Sequence, residues 1–418
     1  MPAETPRIST SVVLERQKQV REVMRAAQLD ALVVYAAATS LAHSTTTSGN
    51  VRYLANWAGK SVASVLVFPL EADPVLLVTS PLNRRRAEEL GAVRDVRQLE
   101  WIGGAFSEGA GLREVLVERG VSRGRVGLVG RVEMTSGMYA GLVAAPAPWE
   151  FVDADDLVAR LRMIKSPEEI EHHRIASSIS DAMLYAGMLT ARGELRWASD
   201  VMCETEVAGR RLGAEFAWCW VATGPAPDFI RNQLSELRHQ IRAGDRVQVG
   251  TYIAYEGYWG HGLRMGIKGG RPSAGVRRYF EAILDVQNAG LEALRPGKRL
   301  IDVARAMQRK IDDYSPYTPQ ADPFRFRSGH GLGLQYSDPL VTDAFPQPAS
   351  WHSTVRGGSE PTTSVRESAL LVQPGMVLEL HPNFSVPELG FFCIGDVVLV
   401  TPDGPQILTR FPRELFEI

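Results

Sequence analysis

From Val12 to Ala27, apolar residues recur at helical spacing among Glu, Arg and Gln, and three short β-branched runs follow at Leu32–Tyr35, Val62–Phe68 and Val75–Val78, each bordered by Pro or Asp. The first pattern has the period of an amphipathic helix, and the others have the length of buried strands. This alternation, continued to about Leu161, predicts a small α/β domain. The segment Arg162-Met-Ile-Lys-Ser-Pro-Glu-Glu-Ile-Glu reads as a linker closing on a helix. Ser166 is placed to cap it, Pro167 suits its first position, and Glu168 and Glu169 meet its positive dipole end. A boundary here divides the chain into domains 1–161 and 162–418. In the second domain the pattern predicts a helix over 166–189, an aromatic-rich strand over Val247–Tyr258 and a helix over 276–294 ended by Pro296-Gly297. It also predicts a glycine-rich turn at Gly329–Gly333 and strands at Val377–Leu380 and Val397–Val400. The Pro-, Ser-, Thr- and Gly-rich stretch 343–365 reads as an insertion, with a flexible lid as the alternative.

Composition narrows the function by exclusion. Lys and Arg total 46 against 48 Asp and Glu, a net charge of −2, so no large field draws nucleic acid or anionic lipid. The run Arg84–Arg86 then reads as a helix start or surface cluster. Three scattered cysteines, Cys203, Cys219 and Cys393, fit a reducing cytoplasm better than a disulfide framework or thiolate zinc site. The longest apolar runs fall short of the ~20 residues that span a bilayer, and the N-terminus lacks a signal-peptide pattern. Function is therefore expected at a local site taking a small molecule, with no nucleic-acid or membrane partner. Gly329–Gly333 lacks the Lys-Ser/Thr of a phosphate loop. His172 and His173, among charged neighbours on a helix, are expected to face solvent.

Four segments in order carry more: Lys165-Ser-Pro-Glu-Glu-Ile, Gly329-His-Gly-Leu-Gly-Leu, Val372-Gln-Pro-Gly-Met-Val-Leu-Glu-Leu-His-Pro and Gly395-Asp-Val-Val-Leu-Val-Thr-Pro-Asp-Gly. Together they resemble the pita-bread superfamily of methionine aminopeptidase, prolidase, aminopeptidase P and creatinase. Leu29-Asp-Ala-Leu-Val-Val and Asn50-Val-Arg-Tyr-Leu resemble the creatinase-type N-terminal domain, and the tail Ile407-Leu-Thr-Arg-Phe-Pro lies nearer creatinase than methionine aminopeptidase. The implied fold class is α/β (α+β), a creatinase-like N-terminal domain followed by a pita-bread catalytic domain. The resemblance also implies a homodimer with shared active sites.

The peptidase members of that superfamily hold two metal ions with two Asp, one His and two Glu. By resemblance Gly250 stands at the first Asp, His261 at the second, His330 keeps the histidine, His381 takes the first Glu and Gly395 the second. The peptidases' second histidine falls on Ser337, and their substrate-binding histidine on Gln233 or Asn232. Three of the eight histidines thus occupy ligand positions, and both positions without a ligand are glycine. Three imidazoles suit one divalent transition metal, iron or zinc, with an open face, and the glycines are expected to leave room for substrate. Creatinase itself dispenses with metal, so a metal-free site with His330 as acid/base stays open. The creatinase pattern's glutamates nevertheless fall on Leu263 and His381.

Strand alternation puts Glu379 on the face of His381, where it could orient an imidazole or act as general base. Tyr252 shares the face of Gly250 and is a candidate to fill the vacated metal space or bind substrate. Trp218 and Trp220 offer an aromatic wall for a cation or flat ring. Arg264 is expected to pair with a carboxylate, and Asp396 to be structural. The expectation is a creatinase-like, non-peptidase hydrolase that cleaves a C–N bond in a small non-peptide molecule, with His330 and Glu379 catalytic. Substrate contacts are expected from Tyr252, Gln233, Trp218 and Ser337. A non-haem iron oxygenase or a lyase on the same histidines is the alternative, and a binding protein without activity is the third.

Overall fold

The computed structural model describes residues 7–37, 49–58, 63–99, 109–144, 146, 148–228, 236–314, 328–336 and 370–418. Gln233, Asn232, Ser337 and the stretch 343–365 lie outside them. The chain forms two compact units, 1–166 with 334–336, and 167–333 with 337–418.

The first unit runs α1 (Thr10–Ala26), β1 (Ala31–Ala36), α2 (Gly49–Ala55), β2 (Ser64–Pro69), β3 (Val75–Thr79), α3 (Pro81–Leu90), β4 (Asp95–Leu99), α4 (Ala110–Glu118), β5 (Gly124–Val129), α5 (Ser136–Val143), β6 (Trp149–Asp153) and α6 (Asp155–Arg162). Its six strands form one sheet in the order β4-β3-β2-β1-β5-β6, mixed in direction. Val33, Val65, Val67 and Leu77 are buried against Leu112, Leu116, Met138 and Leu142 of α4 and α5. The α1 and α3 helices start at side-chain caps, with Ser9 Oγ accepting from Val12 N and Ser80 Oγ from Asn83 N. Arg84 and Arg86 pair with Glu88 and Glu89 at 2.9 Å on the exposed face of α3, a surface cluster as expected.

The second unit holds α7 (Pro167–Arg192), α8 (Ala198–Arg211), β7 (Phe216–Gly224), β8 (Arg246–Tyr255), β9 (Tyr258–Ile267), α9 (Ala274–Ala293), α10 (Leu300–Tyr314), β10 (Gly329–Gly331), β11 (Val377–Leu380), β12 (Asn383–Val386), β13 (Gly390–Cys393), β14 (Asp396–Thr401), β15 (Gly404–Ile407) and β16 (Leu415–Glu417). One sheet has the order β16-β9-β8-β7 and the other β10-β11-β14-β15, with β12–β13 a separate hairpin. Leu263 and Gly395 join the sheets by reciprocal backbone bonds of 3.3 and 3.2 Å.

Two local expectations are corrected here. The strand expected over Val247–Tyr258 ends at Tyr255, because Glu256 and Gly257 take φ 46 and 79° and close a two-residue hairpin into β9. Gly329–Gly331, expected within a turn, pairs with β11 as a strand. A side chain at 329 would collide with the Glu379 carbonyl, so the glycine permits the approach that sets His330 opposite Glu379. His172 and His173 are also corrected, being 1% and 0% exposed. The α7 helix packs on β8, β9 and α8, and His173 Nδ1 lies 3.0 Å from the Trp259 carbonyl. Among the described residues no helix is long and apolar enough to cross a membrane.

Candidate metal centre

Three strands bring the site together. His261 sits on β9 opposite Tyr252 of β8, while His330 on β10 is paired with Glu379 on β11. His381 follows β11 directly and is held by a 3.1 Å bond from its backbone N–H to the Ser328 carbonyl. All four side chains are buried, Glu379 completely.

Glu379 Oε2 touches His261 Nδ1 and lies 3.3 Å from His330 Nε2. Among the described residues, His261, His330 and Glu379 each offer a donor atom within 4.8 Å of the others. His381 stands beside them, its ring centroid 5.1 Å from that of His330 and 5.7 Å from that of His261. The tautomer of His330 follows from its other contact. Its Nδ1 is 2.9 Å from the Gly331 carbonyl, which can only accept, so in the neutral ring Nδ1 carries the proton and Nε2 presents a lone pair. Metal-binding imidazoles are commonly oriented by such a carbonyl. A lone pair and a carboxylate at 3.3 Å repel unless a proton or a metal cation lies between them. The donor set therefore fits a metal ion.

The two glycines at the positions where the resemblance implies carboxylates are closely covered. A side chain at Gly250 would overlap the Trp220 indole. One at Gly395 would meet Leu263 and Glu379 Oε1. This corrects the expectation that the glycines leave room, since close packing has let neighbours occupy the volume. Trp220, rather than Tyr252, fills the space over Gly250. Tyr252 instead stacks on His261 at 4.3 Å between centroids, with half-buried Trp218 5.0 Å beyond it.

Beneath this layer Arg264 and Asp396 form the expected buried pair at 2.6 Å. Arg264 also donates to the carbonyls of Leu263, Gly395, Phe411 and Pro412 at 2.6–2.8 Å. Asp396 accepts from Thr409 Oγ1 and Gln287 Nε2 at 2.6 and 2.9 Å. The backbone at Gly395 is thus fixed from below, and Asp396 points away from the histidines.

Residues 171–402 match metallopeptidase family M24, and residues 16–164 match the creatinase/prolidase N-terminal domain. The chain belongs to family M24. Its pita-bread domain with a creatinase-type N-terminal domain is the fold expected. The uncharacterized peptidase YqhT of Bacillus subtilis is 29% identical over 68% of this chain and 72% of its own length. The Xaa-Pro dipeptidase of Pyrococcus furiosus is 28% identical over 64% of this chain and 68% of its own. A solved Xaa-Pro dipeptidase from Bacillus anthracis, 20% identical, shares the fold with a TM-score of 0.74 across 97% of this chain and 100% of that one.

Membership of a metallopeptidase family supports a bound metal. It also corrects the functional expectation. These relatives are named as a peptidase and dipeptidases, which conflicts with a small non-peptide substrate and a creatinase-like, non-peptidase active site. A non-haem iron centre for oxygen or lyase chemistry conflicts with the same relatives. The three-histidine reading conflicts with the same relatives, and in the structure Glu379 joins His261 and His330 as a donor while His381 stands beside them. Trp220 and Leu263 were each noticed in the sequence, yet their role as fillers depends on cross-strand register, which places both opposite Gly250.

Proposed function

We propose that this M24 protein hydrolyses the amide bond of short peptides at a single divalent ion held by His261, His330 and Glu379. The observation that carries the reading is the convergence of two imidazoles and one carboxylate within 4.8 Å in a fully buried corner. The names of the peptidase relatives support the substrate class. The filled positions over Gly250 and Gly395 support one ion rather than two.

A divalent ion bound there would polarise the scissile carbonyl and lower the pKa of its water. Two neutral imidazoles and one carboxylate leave a net positive centre, which favours the developing oxyanion. The chain supplies the rest. The Gly331 carbonyl holds the His330 ring in one tautomer. Tyr252 fixes the His261 ring by stacking. His381, beside the trio, is the group positioned to carry the proton from water to the leaving amine. Trp218 presents a partly open aromatic face to the peptide side chain.

Elemental analysis combined with a dipeptide panel, proline and non-proline, tests this reading. The expected result is a single equivalent of a divalent metal and metal-dependent cleavage of at least one peptide. Two equivalents would remove the single-ion centre. Full metal loading with every dipeptide intact would remove the peptidase reading.

A further inference from the structure

Arg246 opens β8 and is 1% exposed. Its guanidinium lies 4.5 Å over the Phe392 ring, and Nη1 makes one long bond of 3.4 Å to the Phe391 carbonyl. The same carbonyl accepts from Gln248 Nε2, so the two side chains meet at one acceptor on β13, where Gln248 Oε1 also makes no hydrogen bond. The remaining donors, Arg246 Nε and Nη2, are enclosed and make no hydrogen bond. No Asp or Glu among the described residues faces the guanidinium, whose titratable neighbour is the buried Cys393 thiol.

The contrast with Arg264 is direct. Both arginines are 1% exposed, but Arg264 has Asp396 and four backbone carbonyls. Burial pulls the Arg246 guanidinium down to about 10, which still leaves it charged at neutral pH. An enclosed charge with two unused donors is expensive without a counter-charge. The planar fork of those donors matches a carboxylate or a halide.

We propose that Arg246 is the receptor for one compact monovalent anion, enclosed between β8 and the β12–β13 hairpin and outside the histidine cluster. The occupant is a free small anion, since a side chain 1% exposed admits no carboxylate carried on a larger molecule.

Thermal unfolding is followed in sodium gluconate, whose anion is too bulky to enter, while chloride or formate replaces it at constant ionic strength. The melting temperature of the native chain rises saturably, by about 2–4 °C. In Arg246→Met the rise disappears. In Gln248→Glu, which supplies a carboxylate from the chain itself, the protein melts higher in gluconate and no longer responds to anion. A native melting temperature indifferent to chloride and formate overturns the proposal, leaving Arg246 satisfied by the ring and the carbonyl. An equal response in Arg246→Met overturns it too, and Gln248→Glu keeps the test decisive if that variant does not fold.

Discussion

Two corners of one strand face diverge in how they treat a ligand position. At His330 the ligand chemistry persists in altered form, with two imidazoles and Glu379 gathered within 4.8 Å. At Gly250 and Gly395, where the resemblance implies carboxylates, bulk stands instead, the Trp220 indole over one glycine and Leu263 over the other. Gly250, Leu263 and Gly395 are neighbours across the two sheets, so the second corner is a continuous apolar plug. Losing a carboxylate therefore leaves no pocket. A close-packed interior fills the gap with whichever side chain can reach it, and the remaining chemistry is confined to the other corner.

The comparison breaks most completely at His330. His330→Ala removes a donor that the Gly331 carbonyl has already oriented. The loss of metal affinity should exceed the ~10–100-fold typical of removing an orienting partner alone. Metal content and peptide hydrolysis should fall together while the circular dichroism spectrum is retained. A variant that keeps its ion would show that the first corner is not the centre.

The plugged corner should answer in stability rather than in chemistry. Asp396→Ala strands Arg264 without its carboxylate in a site 1% exposed. Breaking a buried pair of this kind costs about 3–5 kcal/mol, which urea unfolding would show as a lower midpoint. Unchanged stability would mean that the backbone carbonyls around Arg264 suffice to hold it.

Restoring the missing carboxylate sharpens the contrast with a smaller effect. Gly250→Asp forces a side chain into the Trp220 indole and should destabilise the fold by about 1–3 kcal/mol, the cost of overpacking. Metal stoichiometry should not rise. Adding Trp220→Ala should relieve the clash while opening a cavity of its own, so the double variant should lose less than the sum of the two single variants. A second equivalent of metal in the single variant would show that the plug yields easily.

How much of this was legible in the sequence depends on which interactions set each feature. The α1, α7 and α9 helices and β2, β3, β11 and β14 follow from apolar period and caps, which are local properties. The three glycines of 329–333 concealed β10, because a glycine needed for close backbone approach looks the same as one needed for a turn. The charged neighbours of His172 and His173 concealed their burial, since α7 is packed on more than one side. The candidacy of His261, His330 and His381 came from the family resemblance, and the structure gathers them. Strand alternation put Glu379 on the face of His381, but its meeting with His261 and His330 depends on the β10–β11 register, which is not a local property. The fillers over the glycines depend on cross-strand register, and the unpaired charge of Arg246 on what fails to surround it.

The smallest test concerns Tyr252, which separates the two corners. It lies on the same β8 face as Gly250, yet its ring serves His261, stacked at 4.3 Å and backed by Trp218 at 5.0 Å. An aromatic stack of this kind is worth about 0.5–1.5 kcal/mol beyond area burial. Tyr252→Leu keeps much of the volume and removes the stack, so the His261 ring gains freedom that ion binding must then remove. The expected result is a metal affinity lower by roughly 2–10-fold, using the conversion of 1.4 kcal/mol per decade, together with a small fall in the melting temperature of the metal-free protein, where the stack is already formed. Competition with a chelator measures the first and a thermal melt the second. Loss of metal-free stability with unchanged metal affinity would place Tyr252 with the plug rather than with the centre, and would move the border between the two corners to the far side of its ring.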